Sequence, residues 1–223
     1  MSGIIISLLL IAIIGYLWGS IPSGYWMGKL LRGKDFDIRD YGSRKTGATN
    51  VRRTLGNGPA LVVLLVDLSK GIGPALLAKY IPLFNGAGWG MTVAGLMALI
   101  GHCYPVFIGF RGGRGVMTGA GAALVISPLT FLFGAIVAIG TIATTRYVSL
   151  GSILGGATFF ICGIIFGILG WVSFAQAVYL VLGPALVILL HYDNIGRLLA
   201  GKERKLGQKE PAAPESSPTT SRA

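Results

Sequence analysis

The chain has 223 residues, of which 53% are hydrophobic and only 12% charged, with a mean hydropathy of +0.72. Soluble domains carry about 25% charged residues, so an ordinary soluble fold is excluded; roughly six to eight spans of ~20 residues would use the whole length. The formal charge of +11 would suit a nucleic-acid binder in a soluble chain. Here the cations sit between apolar runs, so membrane topology accounts for them and no nucleic-acid partner is expected.

The first apolar run, Ile4 to Trp18, has no basic residue before it and no clear small-residue cleavage site, and reads as a retained helix rather than a signal peptide. Apolar stretches predict spans at 4–26, 59–80, 88–109, 115–126, 129–146, 149–169 and 172–190. The expected fold class is an all-α integral membrane protein with about seven transmembrane helices. The fourth span is short and rich in Gly and Ala, and Ser127-Pro128 separates it from the fifth, so a re-entrant segment and a tight helical hairpin both fit.

Seven spans put loops 27–58, 110–114 and 146–148 and the stretch 191–223 on one face, where they hold 17 of the 19 lysines and arginines. The other two, Lys70 and Lys79, lie within or at the end of the second span. The opposite loops, near 81–87, 127–128 and 170–171, have none. By the positive-inside bias the N-terminus is outside and the C-terminus cytoplasmic. One transmembrane domain over 1–201 is expected, then a disordered cytoplasmic tail over 202–223, which is rich in Pro, Ser, Thr and charge. Cys103 and Cys162 lie in or beside apolar runs without zinc-ligand spacing, so they read as small buried hydrophobes.

Two glycine-rich stretches carry candidate chemistry. IRDYGSRKTGATNVRRTLGNG (38–58) sets Gly42, Gly47, Gly56 and Gly58 among Ser43, Thr49, Asn50, Arg52 and Arg53. Glycines let backbone N–H groups approach an anion, hydroxyls and Asn add donors, and guanidinium forks match phosphate oxygens. A solvated positive-inside loop needs only the charge; the small polar residues between the cations favour a phosphate site. The second stretch, GHCYPVFIGFRGGRGVMT (101–118), lacks the P-loop spacing, but Arg111-Gly112-Gly113-Arg114-Gly115 precedes a predicted helix N-terminus, whose free N–H groups attract phosphate. A plain turn needs one glycine, not three.

Asp67 and Lys70 stand three residues apart inside the second apolar run, where ionisable groups are costly unless paired or functional. They read mainly as a structural pair beside the site, with Lys70 kept among the candidate substrate contacts. His102 reads as a structural hydrogen bonder. His191 begins HYDNIGR directly after the last span, with Asp193, Asn194 and Arg197 on the face that carries both glycine-rich loops, and is a candidate to orient or deprotonate a hydroxyl. No GxSxG, HEXXH, Cys/His pair or cofactor fingerprint is present.

GSIPSGY (19–25), GSRKTGATNV (42–51), DLSKG (67–71), GHCYPVFIGFRGGRGVMT (101–118), RYVSLGSI (146–153) and HYDNIGRLLAGKERKLG (191–207) together resemble the bacterial acyl-phosphate:glycerol-3-phosphate acyltransferase family, often called PlsY. The resemblance implies a seven-helix enzyme of the bacterial plasma (inner) membrane with its active site facing the cytoplasm. It would move a fatty acyl group from acyl phosphate to the 1-hydroxyl of glycerol 3-phosphate. Lysophosphatidic acid and inorganic phosphate would be the products, in the first step of phospholipid biosynthesis, with no cofactor or metal.

By position, the resemblance implies that Ser43, Arg53 and Arg114 hold the glycerol 3-phosphate phosphate, with Asn50 and the first loop completing the pocket. His191 and Asn194 would sit by the acceptor hydroxyl, and the loop from Arg111 through Gly112, Gly113 and Gly115 would approach the acyl phosphate. Membrane lipids and an enzyme that makes acyl phosphate are the implied partners. Arg44-Lys45 replaces the family's usual Gly-Asn in GSGNxGATN, and Arg114 stands where lysine is commoner; both changes keep or add positive charge, though arginine and lysine differ in geometry.

Two rival readings use the same composition. A phosphate-ester transporter would place its site near the midplane, within two related halves, whereas these cations gather at one face and no halves match. A protein that binds anionic lipid needs the basic clusters but not the small polar residues between them.

Overall fold

The computed structural model describes residues 1–86 and 88–208. All regular structure among the described residues is helical. The chain opens with α1 (Ser2–Gly19) and α2 (Ser23–Arg32), which together make one apolar segment where a single span over 4–26 is expected, with an interruption of the helix at 20–22. Pro22 explains the break: it has no N–H to donate and holds Ile21 out of helical geometry. A 3-10 turn (Ile38–Asp40) leads to α3 (Ala48–Leu55), then α4 (Asn57–Tyr80), α5 (Pro82–Asn85) and α6 (Gly90–Cys103). A second 3-10 turn (Val106–Ile108) precedes α7 (Val116–Ile126), α8 (Pro128–Thr145), α9 (Val148–Ile168), α10 (Phe174–Leu189) and α11 (Tyr192–Leu199).

Among the described residues, five segments are long and apolar enough to cross a membrane: Ser2–Arg32, Asn57–Tyr80, Gly90–Ile108, Pro128–Thr145 and Val148–Ile168. The count becomes six when α10 and α11, bent by 57° at Leu190-His191, are taken as one. The expected fourth span is the 11-residue α7. At ~1.5 Å per residue it reaches about 16 Å, half of a ~30 Å hydrocarbon core. Ser127 alone joins α7 to α8, its hydroxyl capping the new helix at Thr130 while Pro128 takes the first helical position, where its missing N–H costs nothing.

Lipid tails are as apolar as leucine, so burial of greasy side chains does not drive these helices together; close approach of small residues does. Gly15 and Gly19 of α1, one turn apart, lie on Ala94 and Ala98 of α6, and a Cβ on Gly19 would run into the Ala98 carbonyl. α4 and α7 meet through Gly71 against Thr118 and Gly121 against Leu68. α8 packs on α9 and α9 on α10, while α7 and α10 join this layer to α4 and α6. Large apolar residues such as Ile136, Ile139 and Ile168 face outward, as a lipid solvent permits.

A disordered tail is expected from residue 202, and the described chain reaches Gln208. Glu203 is buried, and the Leu206 N–H donates to the Arg146 carbonyl at 2.7 Å. The rest of that expectation falls on 209–223, outside the described residues.

Candidate active site

The first glycine-rich loop is organised around Asn50, which is 1% exposed. Its Nδ2 lies within hydrogen-bonding distance of the carbonyls of Ile38 (3.2 Å), Tyr41 (3.1 Å) and Lys45 (2.8 Å), and its Oδ1 accepts the Ser43 N–H at 2.8 Å. One amide thus fixes the whole turn. Gly42 is required there, because its φ of +59° is left-handed and a Cβ would strike Asn50 Oδ1. With the turn fixed, Ser43, Lys45 and Thr49 line one wall of a cavity, and α3 brings Arg53 beside them.

The second loop works differently. The Gly112 and Gly113 N–H groups donate at 3.1 Å to the carbonyls of Cys103 and His102, so they are spent on the end of α6 rather than offered to an anion. A Cβ on Gly112 would hit the His102 carbonyl and one on Gly113 the His102 ring, so these glycines permit close packing. Arg111 is exposed, and neither it nor Gly112 or Gly113 lines the cavity. Arg114 and Gly115 do, and the first turn of α7, which has no side-chain cap, follows with Val116 and Met117 in the wall.

Lys70 is also away from the cavity surface. It is 1% exposed, with Nζ 2.6 Å from Asp67 Oδ1 and 3.1 Å from Ser23 Oγ, and the Ser23 hydroxyl donates to the same carboxylate oxygen at 2.6 Å. A buried lysine so paired is neutralised where it stands, which ties α2 to α4. His102 closes this cluster, with Nδ1 3.6 Å from Asp67 Oδ1, and both Asp67 and His102 reach the cavity.

The bend between α10 and α11 turns a polar edge of α11 toward both loops. His191, Asn194 and Arg197 recur every three residues, so they share a face. His191 Nδ1 lies 2.7 Å from the Val187 carbonyl, which can only accept; Nδ1 therefore carries the proton and Nε2 presents a lone pair. Asn194 Nδ2 donates to Glu203 Oε1 at 2.8 Å. A carboxylate only accepts, so the amide is oriented with Oδ1 on its other side, buried without a protein partner.

Glu203 is the residue that the sequence did not single out. Its Oε1 also accepts the Ser149 hydroxyl at 2.7 Å, and its Oε2 accepts Arg197 Nε at 2.7 Å. Burial alone would raise this carboxyl's pKa, but the hydrogen bonds from Ser149, Asn194 and Arg197 outweigh it and hold the group below the ordinary glutamate value. The available signal was its place inside HYDNIGRLLAGKERKLG: one acid among the cations that follow α11.

The cavity encloses about 470 Å³ and has two characters. Its polar end gathers Ser43, Asn50, Arg53, Arg114, His191 and Asn194. Its other end runs between α8, α9 and α10 and is lined by Ala138, Ile142, Gly155 and Phe159, among other apolar residues. Burial, then the nearby Arg197 cation, lowers the Arg114 pKa, with the carboxylates of Glu203 and Asp193 opposing. Arg114 Nε, like Asn194 Oδ1, is buried without a protein partner. A buried guanidinium donor, further cations and an uncapped helix start are chemically suited to anionic oxygen, and His191 Nε2 and Asn194 Oδ1 are groups able to accept a hydrogen bond. No group of three or more His, Cys, Asp or Glu among the described residues is placed to hold a metal ion.

A family model described as glycerol-3-phosphate acyltransferase matches residues 9–201. The chain is 41% identical over 215 residues to glycerol-3-phosphate acyltransferase 3 of Dehalococcoides mccartyi, covering 92% of this chain and 99% of that protein. It is 44% identical over 208 residues to glycerol-3-phosphate acyltransferase of Shouchella clausii, with 92% and 98% covered. Two crystal structures of PlsY (YgiH), an integral membrane glycerol 3-phosphate acyltransferase, each match 90% of this chain and 96% of theirs. The glycerol 3-phosphate form has a TM-score of 0.80 at 39% identity, and the lysophosphatidic acid form 0.77 at 38%. A cationic pocket joined to an apolar channel suits a phosphorylated acceptor and a fatty chain, and the chain belongs to the glycerol-3-phosphate acyltransferase family, integral membrane enzymes of phospholipid synthesis.

Proposed function

We propose that this enzyme takes its acyl group from acyl phosphate and delivers it to the 1-hydroxyl of glycerol 3-phosphate, releasing lysophosphatidic acid and inorganic phosphate. The observation that carries the reading is the single cavity in which a cationic, hydroxyl-bearing end continues into an apolar channel, with the His191 Nε2 lone pair at the polar end.

In this account Ser43, Arg53 and Arg114 hold the acceptor's phosphate. The start of α7, at Gly115 and Val116, faces the phosphate of the donor. His191 Nε2 accepts from the 1-hydroxyl and aims its oxygen at the acyl carbon, and Asn194 Oδ1 accepts from the neighbouring hydroxyl of the acceptor. That oxygen forms the new ester bond as the acyl carbon–oxygen bond to phosphate breaks. The bonding pair leaves with the phosphate, which takes up the hydroxyl proton. An acyl phosphate is an activated mixed anhydride, so positioning and stabilisation of the developing charge suffice without an acyl-enzyme. The excess of Lys and Arg in the loops that carry the site orients it toward the cytoplasm, with the N-terminus outside, in the bacterial plasma membrane.

The test is chemical. Purified protein in lipid nanodiscs is given palmitoyl phosphate or palmitoyl-CoA, with and without glycerol 3-phosphate. The account expects phosphate release that matches lysophosphatidic acid formation, only with acyl phosphate and only when the acceptor is present. Transfer from the thioester, or an acyl-enzyme trapped in a single turnover, overturns it.

A further inference from the structure

The apolar end of the cavity has a definite floor. Along α8 its lining runs from Ile142 to Phe131, and along α9 from Val148 to Phe159, an equal stretch in the opposite chain direction. α10 contributes Val187 near the polar end and Tyr179 at depth. The deepest residue from each of these three helices is therefore aromatic. Tyr179 is 1% exposed and its hydroxyl donates to the Gly119 carbonyl at 2.8 Å, which pins that ring. Phe159 packs against the cluster of Ala122, Ala123, Ile126, Tyr179 and Leu180, and its ring lies directly on Gly134 of α8, where even a Cβ would not fit.

We infer that Phe131, Phe159 and Tyr179 form a ruler that sets the length of the acyl chain this enzyme transfers, with Phe159 its adjustable element. The inference rests on the proposed acyl-transfer site but not on which leaving group the donor carries. The channel wall from Ile142 to Phe131 covers 11 residue-to-residue steps, or about 16 Å at ~1.5 Å per step. That is half of a ~30 Å hydrocarbon core, the depth that one leaflet's lipid chains occupy. A longer chain would have to displace a packed ring, whereas a shorter one leaves apolar wall unfilled. The glycine at 134 matters because it lets the Phe159 ring lie back against α8 instead of standing in the channel.

Two substitutions move the floor in opposite directions. Phe159→Leu removes the ring while keeping an apolar side chain, so the optimum shifts toward stearoyl and arachidoyl donors. Gly134→Ala pushes the ring into the channel and shifts the optimum toward lauroyl and myristoyl. Each shift should change the ratio of kcat/KM between long and short donors by about tenfold, the scale on which apolar pockets discriminate methylenes. Relative rates across a lauroyl-to-arachidoyl series read this within each variant, so a uniform loss from poorer folding cancels. Opposite shifts support the ruler; chain-length profiles like the parent's in both variants, or shifts in the same direction, overturn it. If the parent uses only thioester donors, the donor assignment falls, and the same series run with acyl-CoA still decides the ruler.

Discussion

The two glycine-rich loops share a composition and use it in different ways. In the first, one buried amide, Asn50, organises the backbone so that Ser43, Lys45, Thr49 and Arg53 face the cavity. In the second, Gly112 and Gly113 give their N–H groups to the end of α6 and their missing side chains to His102, and of Arg111 to Gly115 only Arg114 and Gly115 reach the site. Glycine can bring backbone to an anion or backbone to backbone; composition does not say which.

Chemistry between the loops gives the largest expected effect. Removing the His191 ring should lower kcat by about 10²-fold, the cost of losing the group that aims the hydroxyl, with a smaller change in the glycerol 3-phosphate KM. A change confined to KM would make His191 a binding residue and shift the chemistry elsewhere.

The glycines themselves come next. Gly113→Ala forces a Cβ into the His102 ring and should cost roughly 1–3 kcal/mol of stability, read as a lower Tm in detergent. Gly47→Ala, in the first loop, has open space around its Cβ and an ordinary φ of −74°, and should be neutral within about 0.5 kcal/mol. Equal losses would erase the contrast.

A smaller effect tests Glu203, which braces Asn194 and Arg197. Its carboxyl pKa is depressed on folding, so its contribution is present above the unfolded value of about 4.3 and lost as pH falls through the folded one. The parent should therefore lose more stability than Glu203→Gln on acidification below about pH 4, and the two curves should run parallel above it. Parallel curves throughout would mean that the carboxylate is not held as described.

Long apolar runs made the helices legible, because the hydrocarbon core imposes length and composition at once. What escaped depends on tertiary placement. Pro22 divides the first run, but a proline in an apolar stretch breaks some membrane helices and only kinks others. α7 reads as short in the sequence, and the fold shows Ser127 alone joining it to α8. Ser43, Arg53, Arg114, His191 and Asn194, legible in the sequence, share one cavity, whereas Lys70, Gly112 and Gly113 face other partners and Arg111 is exposed. Glu203 was passed over because a polar tail gives no sign that one of its acids folds back beneath α11 and accepts from Ser149, more than fifty residues away in sequence.

The contrast between Arg114 and Arg111, three residues apart in the same loop, tests the assignment of the site most directly. The measurement is the KM for glycerol 3-phosphate in Arg114→Ala and Arg111→Ala at a fixed, saturating acyl donor. Loss of a charge-assisted contact worth roughly 1.5–3 kcal/mol predicts a rise of about ten- to a hundredfold for Arg114→Ala, with Arg111→Ala unchanged. Equal KM values in the two variants, or a rise only in Arg111→Ala, would contradict the account.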